Sequence, residues 1–189
     1  GVEWAATGNV TLPVPDDFPH AYQYSLRAGP TDGWENLLDP ALSQWEIFMG
    51  VPHSSVRGLP SGTFQSDDVT RGTPMGLGND PKKVFTTRQE DGQTLLHISG
   101  EIYGALTSLK EYENYHLQMK IRWGEKKWEP RLDKRRDSGI LYHGTGEHGA
   151  FWNVWMSSLE YQVQEHDFGD FITLSGTTAK SPYRAEENR

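Results

Sequence analysis

Glu160, Gln162 and Gln164 stand at alternate positions of the stretch SSLEYQVQEHDFGD, Ser157 to Asp170, with Glu165 just beyond them. Leu159, Tyr161 and Val163 fill the places between, which is the period of two of a half-buried β-strand. A solvated strand face usually carries Lys, Thr, Ser and mixed charge. This one carries only carboxylates and carboxamides, groups that move protons and hold hydroxyls. Upstream, RDSGILYH (Arg136 to His143) reads as a second such strand, and the glycine- and tryptophan-rich GTGEHGAFWNVW joins the two. Two strands lined in this way and overhung by aromatic loops suit a ligand covered in hydroxyls, meaning a sugar. Gln162, Gln164, Tyr142, Trp152 and Trp155 are the candidate contacts, with the tryptophans able to stack on a pyranose face or to serve as core.

Other titratable groups flank this stretch. Of the seven histidines, His143, His148 and His166 are close to it, whereas His20 and His53 sit in loops and His97 and His116 share faces with other polar groups. A divalent metal held by some of the first three with Asp137, Glu160 or Asp167 stays open, because no pair has a diagnostic ligand spacing. Asp167 and Asp170 around Gly169 read first as a turn and second as a calcium loop.

The elements that must position these groups are short strands. The chain has 189 residues, enough for one domain with a sizeable core, and 35% hydrophobic with 12% aromatic content indicates a folded protein. A net charge of −8 argues against nucleic acid or an anionic membrane as partner. The basic residues between Lys120 and Arg136 are interleaved with Glu125, Glu129 and Asp133, and read as a solvated loop. With no cysteine there is no disulfide framework and no thiolate chemistry. No apolar run approaches the ~20 residues that span a bilayer.

Residues 1–33 are rich in Pro, Gly and Asp and read as an extended arm; residues 34–189 read as a single domain. Within it, a turn near Asp39-Pro40 leads through one helical turn into a strand ending at Phe48. Residues 50–81 are loop-like, and the densest β signal begins near residue 93. The cleanest alternation of all is Tyr115 to Trp123, where Leu117, Met119, Ile121 and Trp123 interleave with His116, Gln118, Lys120 and Arg122. Further strands are predicted at 138–143, 159–165 and 171–174. Short strands, glycine-rich turns and few helical stretches predict an all-β fold, a sandwich or jelly roll with long loops.

Four segments, GWENLLDPALSQW, HISGEIYGALTSLKEYENYHLQMKIRW, RDSGILYH and SLEYQVQEHD, resemble in order and spacing the bacterial 3-keto-disaccharide hydrolase family, covering about residues 33 to 170. Asp137 stands where that family usually has Asn, and His143 where Arg is common. The resemblance implies a concanavalin- or laminarinase-like jelly roll, here expected without the family's closing C-terminal strands. It also implies a periplasmic or secreted bacterial enzyme that cleaves 3-keto-glycosides by hydrolysis or elimination, on an oligosaccharide or glycoside substrate. The implied roles are Glu160 as base or acid, and His143 and Arg122 polarising the ketone, with Asp137 beside them. A second resemblance competes. Glu160, Gln162 and Glu165 form Glu-x-Gln-x-x-Glu, similar to the Glu-x-Asp-x-x-Glu strand of laminarinase- and lichenase-type retaining glycosidases. A β-bulge would be needed to bring Glu160 and Glu165 to the roughly 5–5.5 Å of a double displacement. A third reading is a carbohydrate-binding module, the same groove without turnover.

Overall fold

The computed structural model describes residues 33–179. The chain divides into two compact units, Gly1–Leu37 and Leu38–Arg189; the arm expected over residues 1–33 lies, apart from Gly33, outside the described residues. The second unit is all-β, as its alternating sequence predicts, with no α-helix among the described residues. Its strands are β1 (Trp45–Met49), β2 (Gly76–Leu77), β3 (Phe85–Glu90), β4 (Gln93–Ile98), β5 (Gly104–Ser108), β6 (Asp137–Thr145), β7 (Ser157–Gln164) and β8 (Asp167–Leu174). They form three antiparallel sheets in the orders β2-β1-β5, β3-β4 and β6-β7-β8.

Asp39 opens the second unit's first turn by accepting from the backbone N–H groups of Ala41 and Ser43 and from the Ser43 hydroxyl. That is a tight turn in place of the helical turn expected there. β1 then alternates in the way its sequence requires. Trp45, Ile47 and Met49 face a core of Leu42, Val56, Val84, Phe85 and Ile102, to which Leu96 and Leu106 add their side chains. Glu46 and Phe48 face the other way, where the His148 ring lies parallel to Phe48 at 5.0 Å and its Nε2 meets Glu46 Oε1 at 2.8 Å. Two glycines close this region. A Cβ on Gly104 would come within 2.8 Å of Phe85 and 2.9 Å of Met49 Sδ. One on Gly50 would overlap Val154 Cγ2 and lie 3.2 Å from the Tyr103 carbonyl, whose oxygen accepts from Gly50 N–H at 2.8 Å.

The sequence-predicted strand at Tyr115–Trp123 does not form among the described residues. Its apolar side chains, Leu117, Met119 and Ile121, are exposed. Alternation makes a segment able to be a strand, but a strand exists only as a ladder, and no described strand pairs with this one. Conversely β3, where Thr86, Thr87 and Arg88 blur the alternation, forms because β4 pairs with it along its whole length, from Phe85 opposite Ile98 to Glu90 opposite Gln93.

Candidate active site

The third sheet carries the candidate groups. Register sets Asp137 opposite Gln164, Gly139 opposite Gln162 and Leu141 opposite Glu160, so that Asp137, Glu160, Gln162 and Gln164 share one face. Gly139 decides where the acid lies. A Cβ built on it would fall on Glu160 Oε1 and come within 2.7 Å of Cδ and 2.8 Å of Cγ. The missing side chain is the space that the Glu160 carboxyl fills, lying diagonally across β6 toward Asp137. No hydrogen bond from a described residue holds that carboxyl. Burial first, and the Asp137 charge second, push its pKa above the ordinary glutamate range.

Asp137 is in turn paired with Arg131, Nη2 to Oδ2 at 3.0 Å, both side chains mostly buried. Arg131 is fixed from several sides. Its Nε and Nη2 donate to the Arg135 carbonyl at 3.3 and 2.9 Å, and its backbone N–H donates to the Trp128 carbonyl at 2.8 Å. Trp128 itself is pinned by its indole N–H to the Ser99 carbonyl at 3.0 Å, with Lys126 Nζ 3.6 Å above its ring. The Arg131 charge also acts on the Tyr103 phenol, opposing the rise that burial gives its pKa. From Tyr103 an aromatic array leads away: Tyr103 stacks on Trp155 at 5.9 Å, and Trp155 is 5.9 Å from Trp152, which lies on Phe151 at 4.9 Å. The Phe151–Trp155 bridge and the positive φ of Trp152 and Asn153 make this a tight turn, and they leave Trp152 exposed. Acid, cation, phenol and indole thus form a series that runs from Glu160 on β7 through Asp137 on β6 and the Arg131 loop to Tyr103, just before β5, and the tryptophan turn.

The other sequence-predicted residues are placed as follows. Gln164 is half-buried on the face of Glu160. Gln162 is buried, with its Oε1 taken by the Val163 N–H at 2.9 Å, at a register shift between β7 and β8. A bulge therefore does fall on this strand, but Glu165 is spent elsewhere. Its two oxygens accept from Arg136 Nη1 at 2.8 Å and Arg136 N at 3.1 Å, and those hydrogen bonds hold its pKa below the usual range. Tyr142 pairs with Leu159 and so points to the opposite face, 6.5 Å from Phe171. His143 sits exposed in the left-handed region at φ 53, inside the register shift that ends β6, with its ring 5.3 Å from Tyr142. Arg122 is 84% exposed and pairs with Glu90, at 3.9 Å. The structure does not bring Arg122 or Glu165 to Glu160. Among the described residues no three His, Asp or Glu side chains converge as metal ligands.

Arg131 and Tyr103 escape the sequence reading. Arg131 lies in the basic run read as solvated, and Tyr103 precedes a segment without alternation. The one available signal is Trp128, a large apolar residue that a fully solvated loop would not carry.

The described residues thus form an all-β unit with a half-buried carboxyl, unpaired among them, on one sheet face. The chain belongs to the 3-keto-alpha-glucoside-1,2-lyase-like domain family, whose family model matches residues 33–186. That membership makes it a carbohydrate-active domain of the 3-keto-glycoside lyase or hydrolase type, with a glycoside as the implied substrate. No curated protein and no solved structure matches the chain significantly. No helix among the described residues is long and apolar enough to cross a membrane.

Proposed function

We propose that the protein cleaves 3-keto-glycosides by β-elimination, with Glu160 as the base that takes the C2 proton. The ketone at C3 acidifies C2–H. As Glu160 accepts the proton, the C2–H electron pair forms a C2–C3 double bond and the carbonyl pair moves onto the C3 oxygen. The enolate then re-forms the ketone, a C1–C2 double bond appears, and the aglycone leaves C1 with its oxygen, to be protonated as an alcohol. Addition of water across C1–C2 converts the elimination into net hydrolysis. The observation that carries this reading is the state of Glu160: half-buried, held by no hydrogen bond from a described residue, and shifted upward by burial and Asp137. A carboxylate in that state is a stronger base than an exposed one and is free to meet a substrate proton.

The retaining-glycosidase alternative needs a second free carboxylate beside Glu160, and Glu165 is engaged by Arg136. Incubation with ordinary and 3-keto glucosides tests the proposal. Aglycone is expected from the keto sugars only, and Glu160→Gln should lower that release by about 10²–10⁴-fold. Equal release by Glu160→Gln would remove Glu160 as the base, and release from unmodified β-glucans would restore the double displacement. Sugar binding without release from either substrate would select the binding-module reading.

A further inference from the structure

We propose that Tyr103 and Arg131 form the seat for the C3 oxygen, the phenol O–H and the guanidinium N–H donating to it as it becomes an enolate. The proposal rests on Glu160 acting as the base and assigns the other half of the same step. Proton removal from C2 puts a full negative charge on the C3 oxygen, and donors already aimed at that oxygen lower the barrier because they need not reorganise. The expected cations do not supply this: Arg122 is in solvent and His143 is turned into the left-handed end of β6.

Arg131 and Tyr103 do supply it. Asp137 links the two halves of the site, since it pairs with Arg131 at 3.0 Å and its charge acts on both Glu160 and Tyr103. Two of the guanidinium nitrogens, Nε and Nη2, are committed to Asp137 and the Arg135 carbonyl, while Nη1 is committed to neither. Tyr103 is held at its backbone by the Gly50 N–H and at its ring by Trp155. Burial raises the phenol's pKa, against the opposing pull of Arg131 and with a smaller push from Asp137, so it stays protonated at neutral pH and can donate. Neither group gives up a proton. The electron pair that arrives on the C3 oxygen is stabilised there and returns when the aglycone departs.

Exchange of C2–H for deuterium in a methyl 3-keto-glucoside, followed by proton NMR in D2O, reads enolate formation without requiring the aglycone to leave. The full chain should catalyse exchange, and Glu160→Gln should abolish it. Tyr103→Phe should slow it by about 10²–10³-fold, the usual loss of one such donor, with the sugar's KM little changed. Replacing Tyr103 by 3,5-difluorotyrosine keeps the ring's shape but makes it a stronger donor, and should change the exchange rate without moving the melting temperature. Wild-type exchange in both Tyr103 variants, with Glu160→Gln inactive, would overturn the seat and leave the base standing. Absence of exchange in the wild type would overturn both.

Discussion

Glu160 owes its chemistry to two neighbours that carry none of it themselves. Gly139 gives the carboxyl its place, and Asp137 adds to the rise in pKa that burial begins. Gly139→Ala should force the side chain off β6 into solvent. A ¹³C titration of Glu160 is then expected to move down toward the ordinary glutamate value, and release from 3-keto glucosides should fall with it. An unmoved titration would show that the glycine does not place the acid. Asp137→Asn removes the like charge, so the acidic limb of the pH–rate profile should shift to lower pH. The same linkage has a stability consequence. A carboxyl whose folded pKa lies above its unfolded value binds more protons when folded, so its contribution worsens as pH rises through that interval. Glu160→Gln should therefore melt above the wild type at neutral pH and match it well below the carboxylate range. Glu160 itself was legible in the sequence, because it stands in an alternating run with an unusual polar face. Arg131 and Tyr103 were not, because what makes them matter, the Trp128 anchor and the Trp155 stack, joins residues remote in sequence.

β6 and β7 are joined where the one begins and the other ends by Arg136 and Glu165. Their backbones exchange a bond, Glu165 N to Arg136 O at 2.9 Å, and the two side chains meet at 2.8 Å. Because the Glu165 pKa is lowered in the folded state, this clamp contributes above the unfolded pKa and is lost as pH falls through the folded one. Thermal melts of Glu165→Gln should show a deficit at neutral pH that closes as pH falls below the ordinary carboxylate range. A constant deficit would mean that only packing was lost. At this scale the sequence was read well where alternation coincides with a partner, as in β4, β6 and β7. Of β8 it showed only 171–174, because Asp167 and Asp170 around Gly169 read as a turn; they lie in the strand instead, with the turn at Glu165 and His166. It misled at Tyr115–Trp123, where the pattern is strongest and no described strand pairs with it. It was silent on β3, whose pairing with β4 outweighs its weak pattern. Local periodicity records which face a segment could bury, whereas the ladder depends on residues elsewhere in the chain.

The second unit keeps the hydrophobic cluster around Met49 and the Glu160 carboxyl on different sheets. Met49, fully buried, sits at the centre of the cluster around β1 and β5, while Glu160 lies on β7. Met49→Ala should cost about 2–5 kcal/mol, seen as a lowered denaturant midpoint, and leave the pH dependence of turnover in the remaining folded protein unchanged. The all-β class was plain from composition and alternation, while the division into three sheets was not, since nothing local states which strand meets which. The close approach of Gly50 to Val154 and to the Tyr103 carbonyl is where the core sheet meets the tryptophan turn that leads into β7. A methyl group there would act as a wedge, carrying the phenol away from the carboxyl while leaving both intact. Such a protein would still hold its acid at the same proton affinity and would still enclose its core. It would fail through misalignment alone, as a lock fails whose tumblers are sound but whose cylinder has turned.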